Sequence, residues 1–488
     1  MRRRVSAGLF SLIFLCLPCF AQYQQPPVDC VEIMAWTAAA MPAPRLTALV
    51  SQRGLAFIPS DDNINVLIGA GLDPAAAKGL SSAKLMTDAP SKASTCPGDV
   101  AKASKLAIDK DYDKAEEQFR RLISQAPKNA ALHFALGYLR LQQGDIYQAF
   151  DEFSTSKELM PGLPDVHGRL AYVFYRYDDG DNAIAEARTA LSMDPENAEA
   201  YRFLGLGLYS NQHYDAAVHA FEEALSRSPE DADVYYDMAI TLHAAGSSRS
   251  AVAAYRRAIR LNPQLWEAHS NLGVVLHQMG KLDQAIEEFQ AGKRLNPSEP
   301  SVRNNLGNTY YDRGDYDAAI AEFRELFRID PSWPSGHDSL AKALLAKRDY
   351  ESAIAELKLA ILHKPTDGTG HRQLGQAFLL MGQQEQALRE LRIAVELDPD
   401  SAQAHHSLGT ALYEITNYDA AAKEFRQALR LRPDAEDHFS LAACLISTGQ
   451  YQSALAELEM AVRMEPAKTL YRARKQELLK LMKASATR

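Results

Sequence analysis

The chain has 488 residues, a formal net charge of -9 at pH 7, and 24% charged residues of both signs. That acidity argues against nucleic acid as a partner, because phosphate recognition needs a basic stripe. Intrinsic catalysis is not expected either: the sequence contains no G-x-S-x-G, no G-x-x-x-x-G-K-[ST] and no H-E-x-x-H, so no cofactor or metal is assigned.

Residues 1–21 read as an export signal. Arg2-Arg3-Arg4 precede an apolar stretch centred on Leu9 to Phe20, and a small residue, Ala21, closes it before Gln22. Its removal takes the formal charge to -12. The Cys16-x-x-Cys19 pair lies inside that segment and is discarded with it, and no other stretch is apolar enough to span a bilayer. The one N-x-S sequence is blocked by Pro297, which favours a periplasm over a eukaryotic secretory route, with secretion the other destination.

Residues 22–80 alternate short apolar clusters with turn signals at Pro42, Gly54, Pro59, Gly71 and Pro74, which predicts a small domain of about four helices. Residues 81–95 turn to Ser, Ala, Lys and Pro and read as a linker. Cys30 and Cys96 flank this region and are candidates for a disulfide in an oxidising compartment; sequence leaves open whether they meet. Cys444, among Leu441, Ala442 and Leu445, reads as a buried inert thiol.

From residue 96 to 468 one pattern repeats. Pro127, Pro161, Pro195, Pro229, Pro263, Pro297, Pro331, Pro365, Pro399 and Pro433 fall 34 residues apart, and Pro466 follows after 33. An alanine recurs at Ala115, Ala149, Ala183, Ala217, Ala251, Ala285, Ala319, Ala353, Ala387, Ala421 and Ala454. In the fullest copy Leu272-Gly273 sits within a first helix, Gly280 breaks the chain, Ala285 and Phe289 lie on a second helix, and Pro297 ends it. Small residues let the two helices approach to about 8–10 Å while Leu272 and Phe289 fill the space between them. Proline cannot continue a helix, so it closes each hairpin.

These residues resemble the tetratricopeptide repeat. Eleven copies are counted, and the resemblance implies an all-α, right-handed superhelical solenoid in which each hairpin packs on its neighbours. Residues 469–488, with Leu470, Tyr471, Leu478, Leu479, Leu481 and Met482 set among basic residues, read as a capping helix, although their basic face also suits an anionic surface.

Seven histidines, His133, His167, His269, His337, His371, His405 and His438, share the fourth position of the repeat. Equivalent helices lie on the order of 10 Å apart, too far for their rings to share a metal, so these histidines read as filling an aromatic slot. The resemblance also implies that positions 2, 5, 6, 9, 12 and 13 of each first helix face a concave groove. Position six is polar from Asp237 onward, continuing through Asn271, Asn305, Ser339, Gln373, Ser407 and Ser440, and resembles the asparagine ladder of O-linked N-acetylglucosamine transferase arms. Asn304 and Asn308 thicken the row beside Asn305, and position twelve supplies rings at Tyr175, Tyr209, His243, His277, Tyr311 and Tyr413. Those rings suit two roles equally, covering a ligand's side chains or filling the seam between neighbouring first helices.

The groove is therefore expected to hold an extended or helical segment of a partner protein between about repeats four and ten. Amides at Asn271, Asn304, Asn305, Asn308 and Gln373 would hydrogen-bond the segment, Tyr311 would cover it, and Arg169, Arg202, Lys342 and Arg372 would attract its acidic groups. The function expected is a non-enzymatic scaffold in envelope assembly. The rival reading is an accessory subunit of a cell-wall or polysaccharide enzyme, with a glycan lying on Tyr175, Tyr209 and Tyr311.

Overall fold

The computed structural model describes residues 26–83, 96–333 and 336–486. The export signal expected at 1–21 and most of the linker expected at 81–95 lie outside these residues. Among the described residues the chain is helical, apart from one isolated bridge between Val28 and Leu55. It divides into two compact units, one ending at Leu261 and one beginning at Asn262.

In the first unit, α1 (Cys30–Ala38), α2 (Ala43–Arg53), α3 (Asp61–Gly69) and α4 (Pro74–Leu80) precede five hairpins. These are α5 (Gly98–Ile108) with α6 (Tyr112–Gln125), α7 (Ala130–Gln142) with α8 (Ile146–Leu159), α9 (Pro164–Arg176) with α10 (Gly180–Met193), α11 (Ala198–Ser210) with α12 (Tyr214–Arg227), and α13 (Ala232–Ala244) with α14 (Ser248–Leu261). The second unit holds six more: α15 (Trp266–Gln278) with α16 (Leu282–Leu295), α17 (Pro300–Arg313) with α18 (Tyr316–Ile329), α19 (Gly336–Ala346) with α20 (Tyr350–His363), α21 (Gly368–Leu380) with α22 (Gln384–Leu397), α23 (Ala402–Glu414) with α24 (Tyr418–Leu431), and α25 (Ala435–Ser447) with α26 (Tyr451–Met464). α27 (Thr469–Ala486) follows the last hairpin.

The all-α solenoid expected from the repeat is present, and its packing explains the pattern. All eleven recurring alanines are fully buried where the two helices of a hairpin cross. The glycine of the Leu-Gly pair faces the large side chain of the second helix. A Cβ added at Gly273 would come within 2.8 Å of the Phe289 ring, and one at Gly307 within 2.7 Å of Phe323. Contacts that short do not occur without displacement, so the glycine and the aromatic are one steric unit. Between the helices, Gly280 adopts φ 72°, the left-handed geometry that ends a helix and that glycine takes without strain.

At the front of the first unit Cys30 and Cys96 are joined by a disulfide, their Cα atoms 5.4 Å apart. The Asn63 side-chain carbonyl accepts from the Cys96 backbone at 2.9 Å, which fixes the start of α5 beside α3. At the far end Tyr471 of α27 is buried against Phe439, with ring centroids 4.9 Å apart, so α27 covers apolar surface of the last hairpin. No described helix is long and apolar enough to cross a membrane.

Candidate partner-binding groove

In the second unit the groove candidates gather on α15, α17, α19 and α21. Asn304, Asn305, Asn308 and Tyr311 occupy positions five, six, nine and twelve of α17, and all four are half-buried. The Asn304 side-chain carbonyl is shielded from solvent and has no hydrogen-bond partner among the described residues. The same holds for the side-chain carbonyl of Gln373 on α21. A buried polar atom left unmatched costs roughly 1–3 kcal/mol, so turning either amide outward to meet a donor in the groove would be stabilising. Asn271 is half-buried on α15.

The basic candidates separate into two groups. Arg372 is half-buried, donates to the Gln376 side chain at 3.1 Å and has no carboxylate within 4 Å among the described residues. Burial lowers its pKa, with Asp367 pulling the other way. It lines a cavity of about 330 Å³ with Gln376, His406, Ser407 and Arg432 and with the carboxylates of Asp434, Glu436 and Asp437, none of which lies within 4 Å of its guanidinium. Lys342 is exposed and likewise makes no ion pair among the described residues. Both remain available to an incoming acid.

Arg169 and Arg202 correct the sequence expectation. Arg169 pairs with Glu199 at 3.1 Å and lies over the Tyr138 ring, 5.2 Å from its centroid. Arg202 pairs with Asp237 at 2.6 Å and Asp233 at 3.2 Å. Their charges are spent between neighbouring first helices, so neither is free to attract a partner's acid. Asp237 is corrected with them: it stands in the polar row at position six but is buried as the counter-ion of Arg202, and burial pushes its carboxyl up to about 6 against that arginine's pull. Ser407 is also engaged, donating to the Gln403 carbonyl at 2.9 Å and accepting from Gln376 at 3.0 Å.

Position twelve has a packing role in at least three repeats. Tyr209 meets Tyr214 at 6.0 Å, Tyr311 meets Tyr316 at 5.6 Å and Tyr413 meets Tyr418 at 5.3 Å between ring centroids. Each pair joins the end of a first helix to the start of the second.

The histidine slot is the clearest omission of the sequence reading. Each of the seven rings places Nδ1 against the carboxylate of a glutamate nineteen residues later: Glu152, Glu186, Glu288, Glu356, Glu390, Glu424 and Glu457, at 2.5 to 2.7 Å. Arg303 takes the same place and pairs with Glu322 at 3.1 Å. Where the slot holds Tyr201 or Tyr235, the residue nineteen later is Ala220 or Ala254. The signal was visible as an exchange, His or Arg with Glu against Tyr with Ala, repeated along one chain. These residues clasp the two helices of a hairpin and are not part of the groove.

A tetratricopeptide-repeat family model matches residues 109–164, 169–232, 204–264, 236–300, 270–334, 304–368 and 406–468, and a second model, described as TPR repeat, matches 375–416. The chain belongs to the tetratricopeptide repeat family. Neither matching model is that of an enzyme family, and no curated protein matches the chain. Among solved structures, yeast Tom70 is similar at 15% identity over 79% of this chain and 94% of that one, with a TM-score of 0.38. YrrB, described as a TPR protein with an unusual peptide-binding site, is similar at 25% identity over 40% of this chain and 97% of its own, TM-score 0.33. The C-terminal part of a TPR repeat-containing protein from Cytophaga hutchinsonii is similar at 18% identity over 49% and 99% of the two chains, TM-score 0.43. Tetratricopeptide arrays bind peptide or protein partners, and this array is a protein-binding scaffold of that kind.

Proposed function

We propose that the chain is an exported, non-enzymatic adaptor of the cell envelope that holds an extended or helical partner segment on the first helices of its second unit. The observation that carries this reading is the pair of shielded, unmatched side-chain carbonyls of Asn304 and Gln373, with Asn305 and Asn308 beside the first and the uncancelled guanidinium of Arg372 beside the second. Once either amide turns outward, a peptide backbone supplies the N–H donor its carbonyl lacks, and an acidic side chain supplies the counter-ion Arg372 lacks. Export is supported by the apolar, arginine-led N-terminus and by the Cys30–Cys96 disulfide, a bond that persists in oxidising compartments.

The test is in-cell crosslinking of the full chain beside a variant with Asn304, Asn305 and Asn308 changed to Ala, and a second with Arg372→Ala. A partner captured by the native chain and lost by both variants is the expected result. Identical capture by all three moves the binding surface elsewhere and defeats the reading.

A second reading attaches to the first unit, where Tyr175, Tyr209 and Tyr214 line a cavity of about 400 Å³ with Arg176, Asp178, Ser210 and Gln212. Rings flanked by polar edges suit a sugar face, which is the glycan-binding accessory role. Saturable quenching of tyrosine fluorescence by a neutral oligosaccharide, lost in Tyr209→Ala, would favour it over the adaptor.

A further inference from the structure

In the first unit the side that the groove positions define is already covered by the chain itself. α1 packs against α5 and α7, and the Ser104 hydroxyl of α5 donates to the Met34 carbonyl at 2.8 Å. Ala131, Phe134 and Ala135, at positions two, five and six of α7, are buried in one cluster with Ile33, Met34 and Trp36 of α1. From α2 the Arg45 guanidinium donates to both oxygens of the Asp165 carboxylate at 3.0 and 2.8 Å, and it also pairs with Asp194. Asp165 is position two of α9, so a groove residue of the third repeat is met by an arginine in the way a bound segment would meet it.

The cover is not a fully satisfied piece of core. The Trp36 indole nitrogen and one Arg53 terminal nitrogen are buried without a hydrogen-bond partner among the described residues. Arg53 is otherwise committed to Glu32 at 2.8 Å and to the Pro26 carbonyl at 2.8 Å. Unmatched buried donors weaken the seating of an element that packs well by area. The covalent tie lies where it offsets this, because Cys30 is the first residue of α1 and Cys96 stands just before α5.

We propose that residues 26–83 are an in-chain ligand of the first three repeats, and that the disulfide decides whether the face beneath is open. When open, that face accepts from a partner a segment of the chemistry it already holds: a short apolar helix followed by a helix that carries an arginine for Asp165. Opening requires a dithiol reductant, which gives two electrons and two protons to the Cys30–Cys96 bond, yields two thiols and leaves as its own disulfide.

The test is hydrogen exchange on the full chain, native and with Cys30→Ser and Cys96→Ser together, followed by titration of both with a fluorescent peptide of residues 26–57 carrying Cys30→Ser. Without the disulfide, α1 and α7 should exchange on the order of 100-fold faster or more, while α11 and α13 keep their protection. The peptide should bind the double variant saturably and not the native chain, and Arg45→Ala in the peptide should weaken binding about tenfold or more. Unchanged exchange in α1 would show that the disulfide does not control the cover. Loss of protection throughout the first unit would show that the cover belongs to the fold and is no ligand. Opened helices that leave the peptide unbound would defeat the docking face. All of these readouts lie in the first unit, so they stand apart from the capture experiment on the groove residues of the second.

Discussion

Phe134 and Asn304 occupy the same fifth position of their repeats, yet one is sealed in the cluster that holds α1 and the other keeps a shielded carbonyl with nothing to bond. The contrast runs along both helices. α7 is buried at nearly every residue from Ala130 to Arg140, whereas on α17 only Val302, Leu306, Gly307 and Thr309 are buried. Equivalent backbone positions thus carry apolar side chains where the chain supplies its own cover and amides where it supplies none. Amides are what an uncovered groove needs if it is to stay soluble alone and still bind a backbone.

The sharpest way to break this comparison is truncation at that shared position. Phe134→Ala should lower the unfolding free energy of the first unit by about 3–5 kcal/mol, because it opens a cavity beneath α1. Asn304→Ala should leave the second unit's melting within about 0.5 kcal/mol, or raise it by removing the unmatched carbonyl. Calorimetry on both variants decides, and an equal loss would mean that Asn304 is structural and the groove argument fails.

A second substitution asks whether the two regions differ only on the groove side. Ala149→Leu and Ala285→Leu overfill the same hairpin crossing, one in each unit, and each should cost about 1–3 kcal/mol. Unequal costs, read from denaturant midpoints, would show that the cover reaches into the hairpins themselves.

The smallest expected effect is a tilt with pH. The hydrogen bond to Glu152 raises the pKa of His133, burial opposes it, and the Pro127 carbonyl adds to the rise. An unfolded histidine titrates near about 6.5. The folded value lies higher, so the pair's contribution to stability is complete below about 6.5 and is lost as pH rises through the folded value. The first unit's melting point should therefore fall slightly from pH 6 to pH 9, and Glu152→Gln should flatten that slope. A slope that survives Glu152→Gln would assign it to another group.

Much of this was legible before any coordinates. The proline period, the buried alanines and the Leu-Gly pair report contacts inside one hairpin, where sequence offset and distance are locked together. Charges between hairpins were not legible in the same way. Arg202 reaches Asp233 and Asp237, 31 and 35 residues on, and which of the two offsets is used depends on how neighbouring first helices lie side by side. The docking of Arg45 on Asp165 spans 120 residues and follows no period at all. The histidine clasp differs from both, because its offset of nineteen residues lies within one hairpin and recurs seven times. Residue type alone does not reveal it, because the signal lies in the ring and its companion taken together.

A stack of repeats held only by neighbours unravels from its ends, where each unit has one partner instead of two. The first and last described repeats are not held alike. The disulfide closes a loop across 66 residues and fastens the leading helices to the first repeat, while α27 rests on the last hairpin by noncovalent contacts such as Tyr471 on Phe439 and Lys475 on Glu459. Fraying within the described repeats is thus given a direction: α25 and α26 should lose their amide protection before α5 and α6 do.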